Sequence, residues 1–266
     1  EIRFHRDGRS AMVRIATWNV NSIRARLPVV LRWLREREPD LLCVQELKAD
    51  ESQFPHGELA DLGYTSFVNG QPRWNGVAFI SREPVSDLEM EFDGFLPEQR
   101  RMISGLFRGI RVINTYVPNG GEVENPRFLE KLEYLQRLLD HALSFSEPVV
   151  ILGDFNVAPG PDDTHSPEEQ DGTVCYHPLE RERIKGFLQN GFRDVFREYH
   201  PEGKAYSWWD YRAAAWRRNR GMRLDLVLAT ESAANLIKGC EIDREPRGWE
   251  KPSDHTPVVF TAEPLE

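Results

Sequence analysis

Val149-Val150-Ile151-Leu152-Gly153-Asp154-Phe155-Asn156 is a run of aliphatic residues that ends on a glycine and then two polar side chains. A short apolar run rich in Val and Ile reads as a strand, Val149–Gly153, delivering Asp154 and Asn156 at its end. The same grammar recurs outward in both directions. Val13–Trp18 runs into Asn19, and Leu41–Gln45 into Glu46. Val112–Val117 carries Tyr116 and stops near Asn119, and Asp254 and His255 immediately precede Val258–Thr261. Val77–Ser81 and Leu224–Leu228 read as two further strands. Helices are expected at Pro28–Glu36, Phe128–Leu143, Pro178–Asn190 and Ser232–Ile237. The second shows a stripe of Phe128, Leu132, Leu135, Leu138 and Leu139 just after Pro126. Pro159–Pro178, rich in Pro, Asp, Glu and Gly, reads as a long surface loop. Many strands with few helices suggest an α/β fold of two packed sheets covered by helices. Strand ends on one edge of such a scaffold are where functional groups are presented.

The collected strand-end residues are carboxylates, amides, a tyrosine and a histidine. Oxygen donors without thiolates favour a hard cation, magnesium or manganese, over zinc. Metal-assisted phosphoester hydrolysis needs a cation on the phosphate, an activated water, donors for the growing charge and help for the leaving oxygen. This set can supply all four. Each member also has a plainer reading: Asp154 and Asn156 as turn residues, Glu46 as a surface acid, His255 as a structural histidine. Asp225 is harder to set aside. It lies inside Leu224-Asp225-Leu226-Val227-Leu228, where a buried carboxylate needs a partner, and His255 is a natural one.

Composition sets outer bounds. At 266 residues, with 40% hydrophobic and 29% charged residues, the chain reads as one large globular domain or two small ones. No apolar stretch approaches the ~20 residues that span a bilayer, so no membrane association is expected. Residues 1–11 are polar and Arg-rich, and Met12 reads as a start, so they are expected to be a leader without fixed structure. Cys43, Cys175 and Cys240 form no CxxC pair, which fits a reducing compartment without structural zinc. The net charge of −9 argues against indiscriminate nucleic-acid binding but leaves room for a local basic face. Arg212, Arg217, Arg218, Arg220 and Arg223 form one arginine group, Arg24 with Arg26 a second, and Arg100 with Arg101 a third. Solvated arginines on an ordinary surface would look the same.

Six motifs follow in order: Ala16-Thr17-Trp18-Asn19-Val20-Asn21-Ser22-Ile23-Arg24, Gln45-Glu46, Tyr116-Val117-Pro118-Asn119, Gly153-Asp154-Phe155-Asn156-Val157-Ala158-Pro159, Asn219-Arg220-Gly221-Met222-Arg223-Leu224-Asp225 and Lys251-Pro252-Ser253-Asp254-His255. On these, from Met12 to Thr261, the chain resembles the exonuclease III family of the endonuclease/exonuclease/phosphatase group. Tyr206-Ser207-Trp208-Trp209-Asp210-Tyr211-Arg212 narrows the resemblance to the DNA-repair branch.

The resemblance implies a four-layered α/β sandwich, DNase I-like, with residues 12–266 as one domain and the site at one end of two packed mixed sheets. It implies Glu46 as main ligand of Mg2+ (or Mn2+), with Asn19 and Asp254 close by. Asp154 would orient or deprotonate the attacking water. Asn156 and His255 would stabilise the developing phosphorane, Asp225 would hold His255, and Tyr116 and Asn119 would contact the scissile phosphate.

It further implies a DNA-repair nuclease that cuts 5′ to abasic sites and clears 3′ ends of duplex DNA, acting as a monomer in the bacterial cytoplasm at the nucleoid. The group also holds phosphatases and lipid phosphodiesterases, so the metal site alone does not name the substrate. Trp208, Met222 and Leu224 match positions that wall an apolar pocket in repair relatives. Such a pocket suits an extruded deoxyribose without a base. Trp208 is expected to serve that pocket without affecting metal binding; as core aromatics, Trp208 and Trp209 would have no such role. Arg220 and Arg223 would grip phosphates. Two departures stand out. Met222 replaces a second tryptophan of some relatives, and Gly120-Gly121-Glu122 puts an acid where some carry a basic residue.

Overall fold

The computed structural model describes residues 12–92 and 94–265; the expected leader, residues 1–11, lies outside the described residues. Twelve strands form: β1 (Val13–Asn19), β2 (Leu41–Gln45), β3 (Thr65–Asn69), β4 (Val77–Ser81), β5 (Ser86–Glu89), β6 (Met102–Phe107), β7 (Ile110–Tyr116), β8 (Val149–Asp154), β9 (Phe192–Asp194), β10 (Asp225–Thr230), β11 (Ile237–Ile242) and β12 (Val258–Ala262). Seven α-helices join them among the described residues: α1 (Leu27–Arg37), α2 (His56–Ala60), α3 (Pro126–Leu143), α4 (Pro167–Gln170), α5 (Pro178–Gln189), α6 (Val195–Tyr199) and α7 (Glu231–Ala234).

The strands make two six-stranded sheets, β11-β12-β1-β2-β4-β3 and β5-β6-β7-β8-β10-β9. Both are mixed: β1 with β2 and β7 with β8 run parallel, and the other pairs antiparallel. Side-chain alternation along each strand explains the layers. Ile15, Cys43, Phe79, Val112, Val150, Leu152, Val227 and Phe260 meet between the sheets. The alternate residues Ala16, Trp18, Leu42 and Val44 pack outward against Val30, Trp33 and Leu34 of α1. Ile113, Ile151 and Leu226 pack outward against Leu135 and Leu138 of α3 and Ile184 and Phe187 of α5. The expected helix–sheet–sheet–helix sandwich is thus what the alternation builds, and each such buried side chain contributes about 1.5–3 kcal/mol.

Helix α3 starts where the chain supplies a cap: the Asn125 side chain accepts from Arg127 N, and Pro126 occupies the first turn. Across the sheets, Gln45 Nε2 donates to Asn114 Oδ1 at 2.8 Å, and Asn114 Nδ2 donates to the carbonyls of Val44 and Ala78 at 3.1 and 3.0 Å. These buried amides fix the sheets against each other close to the site. No helix among the described residues is long and apolar enough to cross a membrane.

Two readings of the sequence change. The segment expected as a helix over Ser232–Ile237 is helical only over Glu231–Ala234, and Ile237 opens β11. Lys238-Gly239 there makes a register shift against β12, a bulge that hides the strand's alternation. Pro159–Pro178 is not a free loop. It holds a short 3-10 turn and α4, and Asp163 and Thr164 within it are buried.

Candidate active site

Strand register places the chemistry. Asp154, last residue of β8, stands opposite Tyr116 of β7 on one side and Asp225 of β10 on the other. Asn19 ends β1 opposite Gln45, so Glu46 follows at the same edge of the other sheet. Gly153 is required for this row. Its φ is +143°, and a Cβ there would lie 1.9 Å from the Thr115 carbonyl oxygen. Glu46 and Asn156, at φ 56° and 51°, turn the chain sharply just beyond their strands.

Asn19 bridges the two sheets' carboxylates. Its Nδ2 donates to Glu46 Oε2 and to Asp154 Oδ2, both at 2.9 Å, while its Oδ1 accepts from Asn21 N at 2.9 Å. Asn19, the expected ligand, thus turns its oxygen to Asn21 N and its nitrogen to the two acids. Lys48 Nζ lies 3.0 Å from Glu46 Oε1, a cation already beside that carboxylate, and also donates to Asn21 Oδ1 at 2.8 Å. Asp254 accepts from Asn21 Nδ2 at 3.1 Å and from Trp208 Nε1 at 3.0 Å. Lys48 and Asn21 were not singled out for a role from sequence, where nothing separates them from ordinary loop polar residues.

His255, 5% exposed, shares a 2.8 Å hydrogen bond between its Nδ1 and Asp225 Oδ2, and its Nε2 lies 3.6 Å from Asp154 Oδ2. Ser207 Oγ donates to the same Asp225 oxygen at 2.6 Å, while Asp225 Oδ1 has no hydrogen-bond partner among the described residues. Burial alone would push the His255 imidazole down, but Asp225 and Asp154 outweigh it and hold its pKa well above the usual value. Burial raises Asp154 from its ordinary 3.8 to about 7, with the neighbouring His255 cation opposing that rise. Burial, reinforced by Glu46 and Asp154, pushes the Tyr116 phenol well above 10. Asn156 N donates to Asp154 Oδ1 at 2.9 Å, and Asn119 Nδ2 donates to Asn156 Oδ1 at 3.2 Å. Asp154, Asp225 and His255 also place one ligand atom each within 4.8 Å of one another, forming a possible carboxylate–histidine metal group among the described residues.

Tyr116, Asp154, Asn156 and His255 of this row line one side of a cavity of about 560 Å3. Trp208, Met222 and Leu224 form an apolar part of its lining, joined by Val174 and Cys175. The backbones of Trp208 and Met222 pair at 2.9 and 3.0 Å, which fixes that wall. Burial lifts the Cys175 thiol to about 12, so it serves as a neutral apolar surface. Trp209, by contrast, is fully buried core. His165 and Gln170 complete the mouth from the segment read as a surface loop. Arg220 reaches the cavity and is exposed. Arg223 does not. It is fully buried, with Nε donating to Asp163 Oδ1 at 2.7 Å and Nη2 to Asp194 Oδ2 at 2.6 Å. The phosphate-gripping role expected of Arg223 is therefore corrected: both acids consume its donors, and it braces the 160–164 segment behind the pocket.

The sandwich and this row of groups define a metal-type phosphoesterase architecture, and comparison with known proteins agrees. Residues 16–255 match the Endonuclease/Exonuclease/phosphatase family. An exodeoxyribonuclease of Bacillus subtilis (strain 168) is 31% identical over 258 residues, covering 92% of this chain and 98% of that protein. The structure of an AP endonuclease from Archaeoglobus fulgidus superposes with a TM-score of 0.90 at 39% identity, covering 94% of this chain and 99% of that one. The 3′ phosphatase NExo from Neisseria, solved bound to a product DNA hairpin, gives 0.90 at 37% identity, with 93% and 98% covered. The chain belongs to the endonuclease/exonuclease/phosphatase family, in its exonuclease III branch.

Proposed function

We propose that this protein is a DNA-repair nuclease that hydrolyses the phosphodiester 5′ to abasic sites and removes 3′ blocking groups or nucleotides from duplex DNA. The carrying observation is that one cavity combines the Tyr116–Asp154–Asn156–His255 row that suits phosphoester hydrolysis with an apolar wall of Trp208, Met222 and Leu224. A small anionic substrate would call for a cationic pocket, whereas a base-free sugar suits an apolar one.

Glu46 and Asp254 are hard oxygen donors at the cavity rim, so they fit Mg2+ and would hold it. When bound, the cation supplies Lewis-acid polarisation of the phosphate and neutralises developing charge. Asp154 accepts the proton of the attacking water as its oxygen bonds to phosphorus. Protonated His255, kept charged by Asp225, donates from Nε2 to a phosphate oxygen as negative charge grows there. Asn156 and Asn119 add amide donors, and Tyr116 its hydroxyl. The bond from phosphorus to the 3′ oxygen breaks, and that oxygen takes a proton from solvent water, leaving a 3′ hydroxyl and a 5′ phosphate. Arg220 holds a flanking phosphate without reading sequence. The protein works as a monomer on chromosomal DNA in the cytoplasm.

The test uses purified protein with duplexes carrying an abasic site, a 3′ phosphate or a recessed 3′ end. Cleavage is expected with magnesium or manganese, none in excess chelator, and a far larger loss of rate than of binding in Glu46→Gln. Full activity in chelator, or hydrolysis of lipid phosphodiesters with none of DNA, would refute the reading.

A further inference from the structure

Beneath the site lies an ion pair that no step above uses. Lys131 of α3 and Glu180 of α5 are both fully buried and bonded to each other. Such a pair is weak evidence for stability, because desolvating two charges offsets their attraction. The informative point is where the other donors go. An ammonium has three N–H groups. One of Lys131's goes to Glu180; the others go to the backbone carbonyls of Asn119 at 3.0 Å and Asn156 at 2.7 Å. Every donor is used. Those carbonyls belong to the two residues whose side-chain amides face each other at the phosphate side of the site.

The Asn156 backbone is held in the left-handed region at φ 51°, and its carbonyl is what Lys131 grips. The lysine stem also runs under the turn after Asn119: a Cβ on Gly120 would meet Lys131 Cδ at 3.2 Å. On its far side Glu180 accepts from Cys175 N at 3.2 Å and His177 N at 2.9 Å, and Cys175 lines the cavity. One ion pair thus pins three separate segments of the same wall through their backbones.

We propose that Lys131, fixed by Glu180, is a positioning residue that aims the Asn119 and Asn156 amides at the scissile phosphate without touching substrate. This rests on the phosphodiesterase reading above. Lys131→Met alone strands a buried carboxylate, so the decisive protein is Lys131→Met/Glu180→Gln, which carries neither charge and keeps an acceptor for His177. Its melting temperature is expected within a few degrees of the parent's. Its kcat on an abasic-site duplex should fall about 10–100-fold with KM within about threefold, because ångström-scale misplacement costs about 10²-fold. In an Asn119→Ala/Asn156→Ala background the same double change should cost less than about fivefold, since the lysine acts through those two residues.

Recovery of kcat together with melting temperature would overturn the proposal, as the lysine would then only neutralise Glu180. A loss undiminished in the Asn119→Ala/Asn156→Ala background would overturn it too. An unfolded double variant would do so as well, because the pair would then be needed for the fold itself. Parent activity is the control: if the parent cleaves no DNA the functional reading fails, and if it cleaves, only ratios to it bear on Lys131.

Discussion

Removing either member of the Asp225–His255 pair should have two consequences that part company in the double variant. His255→Asn deletes the imidazole whose Nε2 lies 3.6 Å from Asp154 and leaves Asp225 buried with Ser207 as its remaining side-chain partner, since among the described residues its Oδ1 already has none. Stripping one partner from a buried pair costs about 3–5 kcal/mol of stability. Losing one donor to the developing charge costs about 10²–10³ in rate. Asp225→Asn reaches the same rate loss by another route: without its counter-charge the buried imidazole loses the influence that most offsets its desolvation, so it sheds its proton and Nε2 can no longer donate. In the Asp225→Asn/His255→Asn protein no charge of the pair is stranded, so most of the stability should return. The rate should not. It should be little worse than the poorer single variant, where independent losses would multiply to about 10⁴–10⁶. Single-turnover cleavage of an abasic-site duplex under saturating enzyme reads the rates, and urea unfolding reads the stabilities. Multiplicative rate losses would mean the residues act separately, and the hydrogen-bonded unit would have to be given up.

Asp154→Asn should stabilise the metal-free protein at alkaline pH. A folded-state value raised from 3.8 to about 7 means the cost of ionising the buried acid is absent below about pH 4, grows as pH rises, and is complete above about 7. That cost is at most about 4 kcal/mol, so urea titrations in chelator that show the variant's advantage growing toward acid pH would contradict the assignment. Trp208→Ala should lower discrimination between abasic and intact duplex, and it should also raise the magnesium requirement, because Trp208 Nε1 donates to Asp254. Trp208→Phe, keeping the apolar wall without the N–H, should retain most discrimination and still need more magnesium; equal effects of the two changes on both readouts would refute the division. Arg220→Ala should reduce the slope of log affinity against log salt by about 1, while Arg223→Met should leave that slope alone and cost about 3–5 kcal/mol of stability. A reversed pattern would return Arg223 to the DNA.

Strand ends were legible because hydrophobicity is periodic and the polar residue that breaks the run is conspicuous. Val149–Asp154 shows its function in six letters, and Asp225 announces its partner by being a charge among aliphatics. What was not legible is whatever depends on two segments meeting. That the Asn19 amide nitrogen bridges two carboxylates from different sheets is visible only once the strands meet. Trp208 and Trp209 are adjacent and alike in sequence, but one walls the cavity and the other fills the core. The segment Pro159–Pro178 looked like loop because its composition is that of loops. Buried Asp163, tied to Arg197 and Arg223, holds it down and turns its residues into a wall of the pocket. Strands β3, β5, β6, β9 and β11 escaped notice because glycine, serine, other polar or charged residues interrupt their apolar pattern.

The charge balance shows why a net figure misleads about a partner. An acidic chain of net charge −9 would be expected to avoid DNA. Yet its arginines are not equivalent. Arg37 is consumed by Asp243 and Glu245, Arg111 by Asp87 and Glu147, and Arg197 and Arg223 by Asp163. Arg217, Arg218 and Arg220 are exposed and form no ion pair among the described residues, and they sit in the segment that reaches the cavity. With charges screened over about 8 Å at physiological salt, a phosphate at that rim feels this cluster and little of the distant acids. These unpaired arginines form a local basic patch that the net figure hides, and the surplus acid elsewhere discourages DNA from settling on the wrong face.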